Sequence, residues 1–272
     1  MPELVLCADD FALSRGTSEA IAELAREGRV NAVSCMTALP GWERDAALLR
    51  GIPGLRVGLH LALSDDLRPL TAMPRTAPDG RLPHCDRLAR DALLGRAAMA
   101  ETGAEIAAQM RRFIAVWGAP PAFVDGHQHV HVLPGIRAQV IAETRANAPG
   151  AWVRHCGGAM AAMLARPFAA KALASAAWSA GLPRALARAG LSCNDGFAGH
   201  YDFAGSYTSL FERFLARPGR FHLVMCHPGA ADRPGDGIAA ARVAEARALR
   251  RLPVPALAHA AGLAFAAGPA FA

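Results

Sequence analysis

The chain has 272 residues, 53% hydrophobic and 19% charged, with a mean hydropathy of +0.18. That balance excludes a disordered chain, and a chain this long buries roughly three quarters of its unfolded surface, so it needs no disulfide merely to fold. The net charge of +6 does not indicate nucleic-acid binding: 28 Arg and a single Lys, Lys171, are spread without a basic run, and 6% aromatics leave few stacking platforms.

In chain order, residues 4–8 form a short apolar run and are expected to be a strand. A helix over 17–27, a strand over 30–36, a helix over 42–50 and a strand over 56–63 follow. A polar, Pro-rich loop occupies 64–86. Helical patterns return at 87–94 and 103–117. Residues 121–132 read as a strand that ends in a polar group, followed by a helix over 135–146 and a strand over 152–156. Residues 160–189 are Ala-rich and helical, broken at Pro167 and Pro183. A helix over 207–216, a strand over 221–226, a helix over 239–249 and a weak strand over 263–267 complete the series. Alternating β and α segments imply a mostly parallel sheet covered by helices. About seven strands suit an irregular (β/α) barrel of TIM type, and an open doubly wound sheet is the alternative. No linker divides the chain, so one domain over 1–272 is expected. Neither G-x-G-x-x-G nor a P-loop is present.

The six cysteines, at 7, 35, 85, 156, 193 and 226, form no C-x-x-C pair. The start lacks a basic segment ahead of an apolar one, and the apolar tail after Pro255 is too broken for a membrane span. The expectation is a cytoplasmic protein without an integral membrane segment; a homodimer is compatible with this reading.

In parallel α/β folds, functional residues gather at the C-terminal ends of strands. Here those ends carry Asp9 and Asp10, then His60, then Asp125 with His127, His129 and His131, then Arg154 and His155, and finally His227. Asp9 and Asp10 also suit a turn or helix cap, and neighbours on extended backbone point opposite ways. Both reach one site only if the chain turns there. A lone His60 on an apolar strand suits a core residue equally well. Residues two apart on a strand share a face, so His127, His129 and His131 are expected to converge. Three imidazoles in five residues are costly to bury as mere packing. One carboxylate and two imidazoles with open positions suit a divalent metal, which polarises a carbonyl and activates water. A second carboxylate as base and a distant His as acid complete a hydrolytic site.

These residues resemble the YdjC-like carbohydrate deacetylases, the family of chitooligosaccharide deacetylase. The matching segments are Ala8-Asp9-Asp10-Phe11-Ala12, Gly58-Leu59-His60, Asp125 to His131, and Cys226-His227-Pro228, with Arg68 to Pro74 resembling the loop after the G-x-H strand. They keep the family's order and span residues 4–229. The resemblance implies an irregular (β/α) barrel, one divalent metal ion (magnesium or zinc), and removal of acetyl from an acetylated aminosugar, free or glycolipid-linked. By position, Asp10, His60 and His127 would hold the metal, Asp9 would be the general base and His227 the general acid. Arg154 would orient the base or touch substrate, and His129, His131 and Asp125 would contact substrate or support the ligands. Where the family has Gly, this chain has Ala12, which costs about 1 kcal/mol or more if that position needs positive φ.

Other readings are a different (β/α)-barrel metallohydrolase, such as an amidohydrolase or phosphoesterase, and an inactive sugar-binding protein. The former commonly carries H-x-H after its first strand, where this chain has Asp9-Asp10; the latter would lack an acid, base or ligand position. An iron oxygenase using two His and a carboxylate would more often sit on a jelly roll, which the β-α alternation contradicts.

Overall fold

A computed structural model describes residues 1–265. Seven strands form one parallel sheet: β1 (Glu3–Phe11), β2 (Ala32–Cys35), β3 (Arg56–Leu61), β4 (Phe123–Gly126), β5 (Trp152–Val153), β6 (Gly196–Ala198) and β7 (Phe221–Cys226). Their spatial order is β5-β4-β3-β2-β1-β7-β6. Every strand residue is buried, as expected of parallel strands covered on both faces. The sheet curls. Ser192 bridges Trp152 of β5, the Asn194 side chain bonds both backbone groups of His155, and residues 196–198 then pair with β7. One short segment thus links the two ends of the sheet, giving the irregular (β/α) barrel rather than the open sheet.

Most expected elements are present, with instructive differences. Residues 121–132 are not one strand. Pairing stops at Gly126, and His127–Val132 coils into a helical turn in which Gln128 and His129 take positive φ (50° and 60°). The strand expected over 152–156 is only Trp152–Val153, so Arg154 and His155 lie just beyond its end. β6 falls between the Ala-rich region and the helix expected over 207–216 and was not expected, because three residues offer no periodicity. Of the strand expected over 263–267, Ala264 forms an isolated bridge to Glu3; residues 266 and 267 lie outside the described residues. In the Ala-rich region, Pro167 separates Met160–Ala165 from Ala169–Trp178. Pro183 opens the helix Leu182–Arg188 instead of breaking one, because a first-turn proline lacks only an N–H that would be unpaired anyway.

Glycine 58 has a specific task on β3. A Cβ there would lie 2.4 Å from the Phe123 ring, which stacks on Trp152 at 4.5 Å. The bare backbone admits the ring and keeps β3 and β4 in register beside His60. Cys7, Cys35, Cys156 and Cys226 are buried free thiols.

The end of β1 resolves the question of its two acids. Cys7 and Ala8 pair with Ala32 and Val33, but Phe11 pairs with Cys35, so β1 carries one residue more than its partner. This is a β-bulge. It falls where Asp10 has φ 67° and Ala12 has φ 74°. Breaking the alternation lets neighbouring carboxylates face one cavity. Ala12 therefore does occupy left-handed backbone, where an L side chain is strained. Ala12→Gly is expected to raise stability by about 0.5–1 kcal/mol, seen as a melting rise of roughly 2 °C. An unchanged or lower melting temperature would mean that the buried methyl group outweighs the strain.

Candidate functional site

The ends of β1, β3, β4 and β7 open into a cavity of about 810 Å³, within the range of small-ligand sites. Asp9, Asp10, His60, His127, His129 and His227 all line it. Its floor is a set of buried charges whose partners come from distant parts of the chain.

Asp10 is the hub. Its Oδ1 lies 2.8 Å from His127 Nδ1 and 3.3 Å from His60 Nε2, and its Oδ2 accepts a 2.8 Å bond from Arg242 Nη2. Burial alone would raise the Asp10 carboxyl, but the His127 and Arg242 charges hold it well below the usual carboxylate range. The two imidazoles respond in the opposite sense. Burial alone would lower His60, yet Asp125 and Asp10 bring it up to about 10. His127 is likewise brought up to about 9, mainly by Asp10. Two imidazoles that favour their protonated forms thus bracket one carboxylate.

Asp10, His60 and His127 each offer a ligand atom, and these atoms lie within 4.8 Å of one another. The donors fit a divalent cation, which would replace two protons by an equal charge. Each imidazole is also held from behind. His60 Nδ1 is 2.7 Å from Asp125 Oδ1 and 3.0 Å from Ser34 Oγ, and His127 Nε2 is 3.1 Å from Asp65 Oδ2. Fixing the far ring nitrogen sets the tautomer and aims the near one, as partners of metal-bound histidines do.

Cys7, Asp9 and Asp125 form a second close group, fully buried. An arginine already fills it. Arg154 Nη1 donates to Asp9 Oδ2 at 2.6 Å, and Nη2 to Asp9 Oδ1 at 2.7 Å, with Cys7 Sγ 3.3 Å away; Nη2 also pairs with Asp125 Oδ2. The forked contact fixes Asp9 in one orientation. Arg154 and His60 together hold the Asp125 carboxyl down at about 2 against the effect of its burial.

The three histidines of the 127–131 segment do not converge, contrary to the strand-face expectation. The turn sends His127 to Asp10 and His131 to the Arg154 carbonyl, which its Nε2 reaches at 2.9 Å. His129 faces the opposite wall, its ring 5.8 Å from that of His200 and 5.5 Å from that of Phe197. Burial keeps His129 well below its ordinary value and pushes His200 and His131 down to about 4. These rings are neutral at pH 7.

His227 follows β7, and its backbone N–H donates to Glu245 Oε2 at 2.5 Å. Glu245 also accepts from the Tyr201 hydroxyl, and burial raises its carboxyl to about 7. Burial pushes the His227 imidazole down to about 4.

Asp65, His200, Arg242 and Glu245 went unnoticed in the sequence. Asp65 sits in a polar loop. Arg242 belongs to the helix Ala239–Arg251, which carries several arginines, and only its 2% exposure separates it from the others. No local signal distinguishes these residues, because each is defined by a distant partner.

Among the described residues, no helix is long and apolar enough to cross a membrane. Residues 3–260 match the family model described as YdjC-like protein. The chain is 31% identical over 229 residues to a chitooligosaccharide deacetylase of Klebsiella pneumoniae, covering 84% of this chain and 82% of that one. It is 37% identical over 133 residues to a chitooligosaccharide deacetylase of Escherichia fergusonii, covering 49% and 52%. In fold it is similar, with a TM-score of 0.74 at 19% identity and 97% coverage of both chains, to an Enterococcus faecalis protein described as a cellobiose-phosphate cleavage protein. The ordered acids and histidines, the barrel and the nearly full-length match agree: the chain belongs to the YdjC-like family.

Proposed function

We propose that this chain is a metal-dependent carbohydrate deacetylase, which hydrolyses the N-acetyl amide of an aminosugar. The observation that carries the reading is the meeting of Asp10, His60 and His127 on the floor of one cavity, with Asp9 beside them. The relatives named chitooligosaccharide deacetylase support the chemistry. Their name favours a chitooligosaccharide-like acetylated aminosugar as substrate, and a glycolipid-linked aminosugar is the other substrate this proposal covers.

Asp10, His60 and His127 hold one divalent ion in this reading. Two imidazoles with one carboxylate suit zinc better than magnesium, which prefers oxygen donors. Such an ion, when bound, polarises the amide carbonyl and makes a water more acidic. The chain's own residues do the rest. Asp9, steadied by Arg154, accepts the proton of the attacking water. His227 hands a proton to the departing amine nitrogen, without which the amine leaves poorly. His227 is neutral in the resting site, so it takes that proton from solvent as negative charge builds on the former carbonyl oxygen, and Asp9 releases the water's proton to solvent after turnover. His129 and His200, neutral and lining the cavity, are suited to contact the sugar.

The test is acetate release from N-acetylglucosamine, diacetylchitobiose and acetylated glycolipid precursors, with zinc, cobalt or magnesium and after chelation. The expected result is acetate from at least one substrate, lost on chelation and restored by zinc or cobalt. Acetate release that survives complete metal removal would overturn the proposed mechanism.

A further inference from the structure

The three proposed ligands are each held by a further charged or polar group, and two of these groups come from segments the active-site motifs do not include. We infer that Asp65 and Arg242 are positioning residues of the metal centre: Asp65 sets the ring of His127, and Arg242 sets the carboxylate of Asp10. This inference rests on the metal-centre reading above.

Arg242 takes Asp10 Oδ2 at 2.8 Å and so leaves Oδ1 turned towards both imidazoles. Its own aim is fixed. Nε donates to Asp236 Oδ2 at 2.7 Å, and its backbone carbonyl accepts from Gly229 N at 3.1 Å, two residues beyond His227. A guanidinium on one carboxylate oxygen favours single-oxygen ligation by the other and offsets the charge of a buried acid.

Asp65 is held at a cost that points to a task. Asp65 and Asp66 are consecutive non-glycine residues in the left-handed region, at φ 65° and 60°. That region is unfavourable for residues other than glycine, and two in a row are held there only by their surroundings. The loop fixes them by donating Asp65 N–H to the Pro83 carbonyl and Asp66 N–H to the Leu82 carbonyl. In this conformation Asp65 Oδ2 meets His127 Nε2 at 3.1 Å, on the side of the ring away from Asp10. A carboxylate there keeps the proton on Nε2 and leaves Nδ1 free to bind an ion. The same loop lines the cavity with Leu67, Leu82 and His84, so Asp65 also ties this wall to the metal centre.

The test is a cobalt(II) titration of the full chain, followed by calorimetry and by the visible absorption of the bound ion. Asp65→Asn keeps the shape and removes the charge, and Arg242→Gln removes the guanidinium. Each is expected to weaken cobalt binding 10- to 100-fold and to alter the visible spectrum. Arg242→Lys, which keeps a cation near Asp10, is expected to recover part of the loss, whereas Asp66→Asn, next in sequence and paired with Arg81 instead, is expected to bind as the parent does. If Asp65→Asn and Arg242→Gln both bind cobalt with parental affinity and spectrum, the inference is wrong although the metal centre stands. His127→Ala is carried alongside. Parental binding in that variant would overturn the metal-centre reading itself. Asp65→Asn alters a partly exposed loop residue, so the question remains answerable even if Arg242→Gln fails to fold.

Discussion

Replacing His127 with Ala is expected to weaken divalent-metal binding by at least ~100-fold and to abolish acetate release at micromolar metal, while leaving the fold in place. The variant leaves two donors, Asp10 and His60. Removing a group that merely steadies a ligand already costs 10- to 100-fold, so losing a ligand costs more. The fold survives for two reasons. His127 lies in a turn beyond the end of β4. Asp10 also keeps His60 at 3.3 Å and Arg242 at 2.8 Å, so the substitution leaves no unpaired buried charge. Metal content after dialysis, with a thermal melt of the metal-free protein, decides the matter. Stoichiometric zinc in the dialysed variant would remove His127 from the ligand set.

Asp9→Asn is expected to do the reverse: metal stays bound and kcat falls by about 10²- to 10⁴-fold, the usual contribution of a positioned general base. Asn matches Asp in shape but cannot take the water's proton. Asp9 is not among the three converging donors, and both its oxygens accept from Arg154. Arg154 keeps its pairing with Asp125 in the variant, so the buried guanidinium is not left uncompensated. Because substrate binding is not the function removed, the loss should appear in kcat more than in KM. Zinc affinity and turnover measured on one preparation separate the roles. Turnover within a factor of a few of the parent would exclude Asp9 as the base. Loss of zinc together with activity would instead assign Asp9 to the metal.

The arrangement also shows where residue patterns stop being informative. The β-α alternation, the parallel sheet and the acids and histidines at strand ends were legible because each is written in neighbouring residues. Asp10 could be suspected as a ligand because Asp9-Asp10 follows an apolar run. It could not be seen that a bulge at φ 67° turns the two carboxylates into one cavity. The convergence expected of His127, His129 and His131 assumed extended backbone. The chain instead coils after Gly126 and sends the three rings to three different partners.

The sequence by itself determined the fold class, the family and the residue types available for chemistry, because strand and helix periodicity and ordered motifs depend on near neighbours. The tertiary structure alone decided which oxygen of Asp10 faces the imidazoles, that Arg154 rather than an ion fills the group around Asp9, and that Asp65 and Arg242 belong to the centre. The physical reason is separation along the chain. Asp10 meets His127 across 117 residues and Arg242 across 232, and Arg154 meets Asp9 across 145. Charges that far apart are joined only once the barrel has closed, and their energies depend on the burial that closure creates.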